Sequence, residues 1–300
     1  MGKEKQMRYL ITGGTGLVGS KLIPELVAEG NEVVNLSRSG MPSGMKGWEN
    51  VKWDGKSVPG SVKGIDVVVN LAGANVGSRW SESYKKTILQ SRIDSTQACV
   101  NFIKAQENKP QLFLSASGTN YYGDDYDTVK TEADGPGEGF LSEVCQTWEA
   151  SAEGAGIRTI TMRIAPVLSL DGGPLEKMAT PFKMFVGGPT GSGDQGFPWI
   201  HIDDLVAAMH FFIAESSLEG PFNLSAPPQN TNREFASAIG RALNRPSFFR
   251  LPKFMLKTIF GEMSVVLWGG GKVKPAKLLE AGYQFKFPNL DAAMGNIFSD

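Results

Sequence analysis

The chain has 300 residues, 41% hydrophobic and 20% charged, a composition that fits a folded protein with room for a cofactor domain and a smaller second part. A net charge of -1 with no basic tract excludes nucleic acid and anionic membrane as expected partners. Its two cysteines, Cys99 and Cys145, both fall in helical-looking segments, which excludes a disulfide framework and gives a cytoplasmic expectation.

The leader Met1-Gly-Lys-Glu-Lys-Gln6 lacks the apolar core of a signal peptide. Arg8-Tyr-Leu-Ile-Thr12 then reads as a short buried strand, and Ser20 to Ala28 as a helix ended by Gly30. Glu32 to Leu36 is a second strand, and others are expected at Asp66 to Leu71, Gln111 to Ser115 and Arg158 to Arg163. All are apolar enough to be covered on both faces. Helices at Glu82 to Gln106 and Phe140 to Glu153 separate the last three. This alternation specifies an α/β fold with a doubly wound parallel Rossmann sheet. The same two helices offer a four-helix homodimer contact.

Beyond Arg163 the alternation stops. Asp171 to Pro198 is rich in Gly and Pro and is expected to leave the sheet; Leu205 to Ala214 resumes a helix, and Phe222 to Ser225 returns as a strand. Helical stretches at Asn232 to Leu243 and Pro252 to Phe260 suggest a small separate layer. The expected division is a cofactor domain of residues 7–170 plus about 199–225, and a smaller C-terminal substrate-facing lobe of 171–198 plus 226–300. No run approaches the roughly 20 apolar residues of a membrane span. His201 and His210, the only histidines, lack metal-site spacing, so no metal is expected; Asp203-Asp204 is read as capping a helix start.

Gly13, Gly16 and Gly19 lie between the first strand and first helix, where a dinucleotide pyrophosphate needs backbone N–H groups and a helix N-terminus. Gly13, Thr15, Gly16, Leu17, Val18 and Gly19 are the expected contacts, with Ser115 added from the later strand. At the end of the second strand stand Ser37 and Arg38, and no carboxylate. A guanidinium forks onto a 2′-phosphate, so the expected cofactor is NADP (NADPH). Asp54, after an expected third strand, either accepts from the adenine amino group or holds a turn.

With Gly13-x-x-Gly16-x-x-Gly19, Asn70-Leu-Ala-Gly73, Ser115-Ala-Ser117 followed by Tyr121-Tyr-Gly123, and Trp199-Ile-His-Ile-Asp-Asp204, the sequence resembles the extended short-chain dehydrogenase/reductases. Arg79-Trp80, Ser91-Arg92, Trp148-Glu149, Gly191-Ser-Gly193, Asn244-Arg-Pro246 and the tail from Lys272 to Phe285 resemble the branch called epimerase family proteins. The resemblance spans nearly the whole chain. It implies that Leu71, Ala72 and Gly73 line the adenosine side, Pro166 and Val167 the nicotinamide end, and that Arg92 reaches the cofactor.

The resemblance also implies a tyrosine, with a lysine four residues later lowering its pKa, to move the proton while nicotinamide carries hydride. The aligned positions hold Leu141 and Cys145, which cannot do so. Tyr126 and Lys130 have the spacing, but they follow Ser117 too closely for a new helix to carry them. Ser117, Tyr121 and Tyr122 remain as catalytic candidates at the end of the fifth strand. Without a lysine, a tyrosine with a pKa of about 10 is a poor base. Cys145 reads as a small apolar side chain and Glu149 as an ion-pair partner or cap. Trp80, Trp148 and Trp199 read as core or as stacking platforms. Two functions fit: an NADP-dependent oxidoreductase or epimerase acting on a nucleotide-sugar-like small molecule, or a non-catalytic NADP(H)-binding redox-sensing or regulatory protein.

Overall fold

The computed structural model describes residues 6–38, 47–123, 125, 127–252, 254, 257–258, 261–264 and 270–299. Strand β1 (Arg8–Thr12) leads into α1 (Leu17–Ala28), then β2 (Glu32–Ser37) and β3 (Trp48–Lys52). Helix α1 begins three residues earlier than apolar spacing predicts, because Gly16 N–H already bonds Gly13 O at 2.9 Å and Ser20 N–H bonds Gly16 O at 2.9 Å. Next come β4 (Val67–Asn70), α2 (Glu82–Ala105) and β5 (Leu112–Gly118), then the short β6 (Val129–Lys130), α3 (Phe140–Ala152) and β7 (Thr159–Ile164). The chain continues through β8 (Val167–Leu168), α4 (Pro174–Lys183), β9 (Ile200–His201), α5 (Ile202–Ala214) and β10 (Gly220–Leu224). Helix α6 (Asn232–Leu243), β11 (Lys272–Val273), α7 (Ala276–Glu280) and α8 (Leu290–Ile297) complete the described elements.

Seven strands form one sheet in the order β10-β7-β5-β4-β1-β2-β3, and every pairing is parallel. Successive side chains point to opposite faces, so neighbours along a strand enter different cores. Ile11, Val69 and Leu114 join Leu22 and Leu26 of α1 and Leu205 and Met209 of α5. Leu10, Val68 and Phe113 pack instead with Cys99 and Ile103 of α2. This is the doubly wound Rossmann arrangement: helices cover both faces, and the loops at the strand C-termini are free to build a site.

The stretch from Asp171 to Pro198 lies outside the seven-stranded sheet and contains α4. Pro174 sits in the first turn, where its fixed φ suits a helix and its missing N–H is no loss. Leu175, Ala179 and Phe182 then supply a buried stripe. That stripe joins Phe197, Trp199, Phe235, Ile239 and Met294 in a third apolar cluster. Most of Pro252 to Phe260 lies outside the described residues.

At the start of α5 the expected cap is corrected. His201, not an aspartate, supplies it: Nδ1 accepts from Asp203 N–H at 3.1 Å. Asp204 is buried and accepts from the Lys286 and Phe287 N–H groups at 2.7 and 2.9 Å, tying the C-terminal segment to α5. No described helix is long and apolar enough to cross a membrane.

Candidate functional site

A cleft of ≈ 980 Å³ runs along the C-terminal ends of the strands, from the glycine loop after β1 to α4 and α6. The loop's shape follows from what a side chain would meet. Gly13 has φ +73°, and a Cβ there would lie 2.7 Å from the Leu71 carbonyl carbon. A Cβ on Gly19 would lie 2.4 Å from Gly14 Cα, and one on Gly14 would meet Asn35 Oδ1 at 2.3 Å. Gly14 therefore matters to packing as much as the glycines that the spacing singled out. At Gly16 only the Gly13 carbonyl oxygen is near, at 3.2 Å, and Gly16 lines the cleft.

No side chain caps α1, and its first turn holds no acidic residue. The free N–H groups of that turn, with Leu17, Val18 and Gly19 lining the cleft, fit a phosphate. Thr15 is exposed on the loop between them. Arg38 is exposed at the end of β2, next to the buried Ser37. Asp54 takes the turn role: its Oδ1 accepts from Lys56 and Ser57 N–H at 2.8 and 3.1 Å, and those bonds hold its carboxyl below the usual range. Ser115 is 1% exposed and paired with Asn70 and Thr161 inside the sheet, so it is withdrawn from the cofactor contacts.

On the far wall, Leu71 lines the cleft, and Ala72 and Gly73 follow it in the loop after β4. Arg92 lies against Gly73: a Cβ on that glycine would be 3.1 Å from Arg92 Cζ. Its Nη1 donates to the Ala74 and Ile88 carbonyls at 3.1 and 2.9 Å, and its guanidinium lies 4.8 Å from the centre of the Trp148 ring. Burial holds the Arg92 pKa below its ordinary value. Trp148 is itself fixed by a buried chain, because Thr96 Oγ1 accepts from Trp148 Nε1 at 3.0 Å and from Asn70 Nδ2 at 2.8 Å. Asn70 Oδ1 in turn accepts from Thr12 at 2.6 Å. The strand before the glycine loop is thereby linked to α2 and α3. Pro166 and Val167, just after β7, line the opposite part of the cleft. Trp148 and Trp199 are buried, Trp199 with its Nε1 bonded to Asn230, and Trp80 meets Phe140 edge-on.

Leu141 and Cys145, at the positions where the resemblance implies a tyrosine and a lysine, both line the cleft from α3, one helical turn apart. Burial, helped by Glu149, pushes the Cys145 thiol up to about 11. It is no nucleophile at neutral pH. Ser117 faces the cleft from the end of β5 and donates to Glu149 Oε1 at 2.7 Å. Glu149 is held by Arg163 through two bonds, Nε to Oε1 at 2.9 Å and Nη2 to Oε2 at 2.8 Å. Arg163 Nη1 also donates to the Tyr122 hydroxyl at 2.8 Å, and that hydroxyl donates to Asn223 Oδ1 at 2.8 Å.

Tyr122 therefore leaves the catalytic set. It is 2% exposed, both sides of its hydroxyl are engaged, and burial pushes its pKa up to about 12. Tyr121 is occupied differently, with the Arg163 guanidinium 3.5 Å from its ring centre. Tyr126 lies outside the described residues, and Lys130 is paired with Asp125 at 2.8 Å. Among the described residues no group of three His, Cys, Asp or Glu side chains gathers to hold a metal. Sequence reasoning missed Arg163 and Asn120, the first a buried ion-pair partner, the second a cleft residue just beyond Ser117.

Residues 9–225 match the model of the NAD dependent epimerase/dehydratase family, and residues 251–297 match a domain of unknown function, DUF1731. An epimerase family protein of Staphylococcus epidermidis is 39% identical over 295 residues, covering 97% of this chain and 98% of its own. The crystal structure of the human epimerase family protein SDR39U1 with NADPH is similar at a TM-score of 0.89 and 35% identity, covering 98% of this chain and 100% of that one. A nucleoside-diphosphate sugar epimerase from Corynebacterium glutamicum gives a TM-score of 0.79 and 28% identity, covering 98% of this chain and 58% of that one.

Proposed function

The chain belongs to the NAD dependent epimerase/dehydratase family, and on that premise we propose that it is an NADP(H)-dependent oxidoreductase or epimerase acting on a small molecule. One observation carries the reading: the uncapped start of α1 and the wall formed by Pro166, Val167, α4 and α6 open into a single cleft. The α1 N-terminus would hold the pyrophosphate, Arg38 the 2′-phosphate and Arg92 the far side of the cofactor. Bound there, the cofactor supplies hydride. The human relative crystallised with NADPH supports the NADP form.

The chain's own residues set limits on the chemistry. Ser117 spends its proton on Glu149, so its hydroxyl oxygen can accept a hydrogen bond from a substrate hydroxyl. Leu141 and Cys145 supply no base. Substrate docks on the C-terminal lobe, in the division at residues 171–198 and 226–300 proposed from the sequence. A nucleotide-sugar-like substrate is the class that the resemblance suggests, and any substrate must fit the α4 and α6 wall of the cleft. Two buried free cysteines support a cytoplasmic setting, and a homodimer through α2 and α3 is the assembly that the fold class suggests.

The test is titration with NADPH and NADH, followed by cofactor fluorescence and repeated with Arg38→Ala. NADPH is expected to bind more tightly, and the variant to lose roughly 1.5–3 kcal/mol for NADPH alone. Failure of both cofactors to bind would overturn the reading. The absent proton pair at Leu141 and Cys145 favours a second reading, a non-catalytic NADP(H)-responsive protein. That reading requires different affinities for NADP and NADPH.

A further inference from the structure

Beyond Pro166 and Val167 the cleft changes character. Its walls there are Met178, Pro181 and Phe182 of α4, Phe235 and Ile239 of α6, and Leu251. The polar groups Thr190 and Asn232 at this end are already engaged: Asn232 Oδ1 accepts from Thr190 N–H at 2.8 Å, and the Thr190 carbonyl accepts from Gln195 Nε2, behind the wall, at 2.8 Å. The only charges that α4 and α6 bring to the cleft are Glu176 and Lys177, adjacent, opposite in sign and both exposed. Arg79 and Arg92 come from the loop after β4 and from α2. A sugar diphosphate seated against α4 and α6 would leave its two negative charges beside phenylalanine and isoleucine, with the exposed Lys177 the one cation that those helices bring to the cleft. Burying charge without cations or N–H donors is strongly unfavourable.

The apolar surface does not stop at the cleft. Backbone bonds tie residues 249–251 to residues 187–191: Phe249 N–H to Gly187 O at 3.2 Å, Leu251 N–H to Pro189 O at 3.0 Å and Gly191 N–H to Leu251 O at 2.9 Å. From Leu251 in the wall, this lip leads out to Phe249, Phe248, Phe185 and Met184, the last three 72%, 55% and 66% exposed. Phe185 is also held at φ +62°, where a side chain is disfavoured. A strained, exposed phenylalanine beside a binding cleft costs stability that its contact with the Arg245 guanidinium recovers only in part.

We infer that the α4 and α6 end of the cleft takes an uncharged, mainly apolar molecule, entered over the lip of Phe185, Phe248 and Phe249, and not a nucleotide sugar. The inference rests on the proposed cofactor position, since it concerns the space left beyond it. Methionines at 178 and 263 give the wall a polarizable, adaptable surface suited to such a ligand.

The experiment uses the NADPH-loaded protein, with Nile red as a neutral apolar probe and 2-decanone and UDP-glucose as competitors. Cofactor fluorescence is read first, so a failure of NADPH to bind is recorded against the proposed function and not against this inference. Saturable Nile red binding is expected, displaced by 2-decanone and untouched by UDP-glucose. Met178→Lys should weaken the probe by about tenfold or more, because it buries a charge, while Met178→Leu keeps it and NADPH affinity is unchanged in both. Leu251→Lys, on a separate segment, should repeat the loss and guards against a local defect in α4. Displacement by UDP-glucose would overturn the inference. So would the absence of saturable binding, or loss with Phe248→Ser but not with Met178→Lys, which would put the probe on the lip alone.

Discussion

Ser117 Oγ donates to Glu149 Oε1 at 2.7 Å, and the same oxygen accepts from Arg163 Nε at 2.9 Å. The serine that faces the cleft is thus positioned by a buried ion pair, whose side chains are 5% and 15% exposed for Arg163 and Glu149. Burial works against the Arg163 charge, yet its bonds to Glu149 raise its pKa overall. Arg163→Met would leave Glu149 without a counter-charge and Tyr122 without a donor. It should cost about 3–5 kcal/mol in urea unfolding, whereas the double variant Arg163→Met with Glu149→Leu should recover much of that loss. A double variant no more stable than the single would show that the pair is not acting as a unit. Ser117→Ala removes one charge-assisted bond, so a loss of about 1.5–3 kcal/mol with NADPH affinity intact is expected.

The glycine loop separates folding from binding. Gly13→Ala places a Cβ 2.7 Å from Leu71 C at a φ of +73°, so it should lower stability by more than about 1–2 kcal/mol and weaken NADPH as a consequence. Gly16 has φ −81° and ψ 175°, which any residue adopts, and only the Gly13 carbonyl lies near its Cβ position. Gly16→Val should therefore stay within about 1 kcal/mol of wild type in thermal unfolding yet lose roughly 1.5–3 kcal/mol for each phosphate contact that it blocks. Equal NADPH affinity in Gly16→Val and wild type would remove the pyrophosphate from this loop.

Those two glycines also show what the sequence made legible. The sheet could be read because its strands are covered on both faces and so appear as unbroken apolar runs, and the loop because phosphate binding demands glycine at fixed intervals. Helix α4 was hidden by Pro174 and Pro181, although Leu175, Ala179 and Phe182 carry helical spacing. Helices α7 and α8 are too short for periodicity to announce them. The Glu149 to Arg163 pair joins α3 to β7, and the Asn232 to Thr190 bond joins α6 to the loop before β9. Such partners are set by tertiary packing, which no local pattern encodes, and so the apolar wall facing Val167 could not be seen until α4 and α6 were in place.

His201 couples stability to pH. Burial holds its imidazole below the usual 6.5, although Asp203 and Asp204 pull the other way, and Nδ1 must stay unprotonated to accept from Asp203 N–H. As pH falls below about 6.5 the unfolded chain takes up a proton that the folded protein refuses, so stability is lost from there down to the folded pKa and is unaffected above it. His201→Asn keeps a capping acceptor but cannot titrate. It should be less stable at about pH 7, because the ring contact with Phe287 at 3.8 Å is lost, yet show a shallower decline in urea midpoint between about pH 7 and pH 5. Asp204, raised by burial, acts in the opposite sense in more acid solution and is common to both proteins. Parallel declines would clear His201 of the effect.

At the end of α4, Phe185 N–H bonds Phe182 O and Val186 N–H bonds Pro181 O, each at 2.9 Å. This is the helix stop in which glycine is preferred, and phenylalanine occupies the left-handed position at φ +62°. An L side chain there costs roughly 1–2 kcal/mol. The ring recovers part of it by lying 4.4 Å from the Arg245 guanidinium, an exposed contact that contributes about 0.5–1 kcal/mol. Phe185→Ala keeps the strain and loses the contact. Phe185→Gly relieves the strain, less the extra freedom that glycine gains in the unfolded chain. The glycine variant should thus be about 1 kcal/mol more stable than the alanine variant and no less stable than wild type. If the lip admits an apolar substrate, both variants should slow capture of Nile red by the NADPH-loaded protein while leaving NADPH affinity unchanged. A glycine variant that is more stable and captures the probe at the wild-type rate would leave the strain at Phe185 without a binding role. A slower rate in a more stable protein would mean that stability has been exchanged for the entrance.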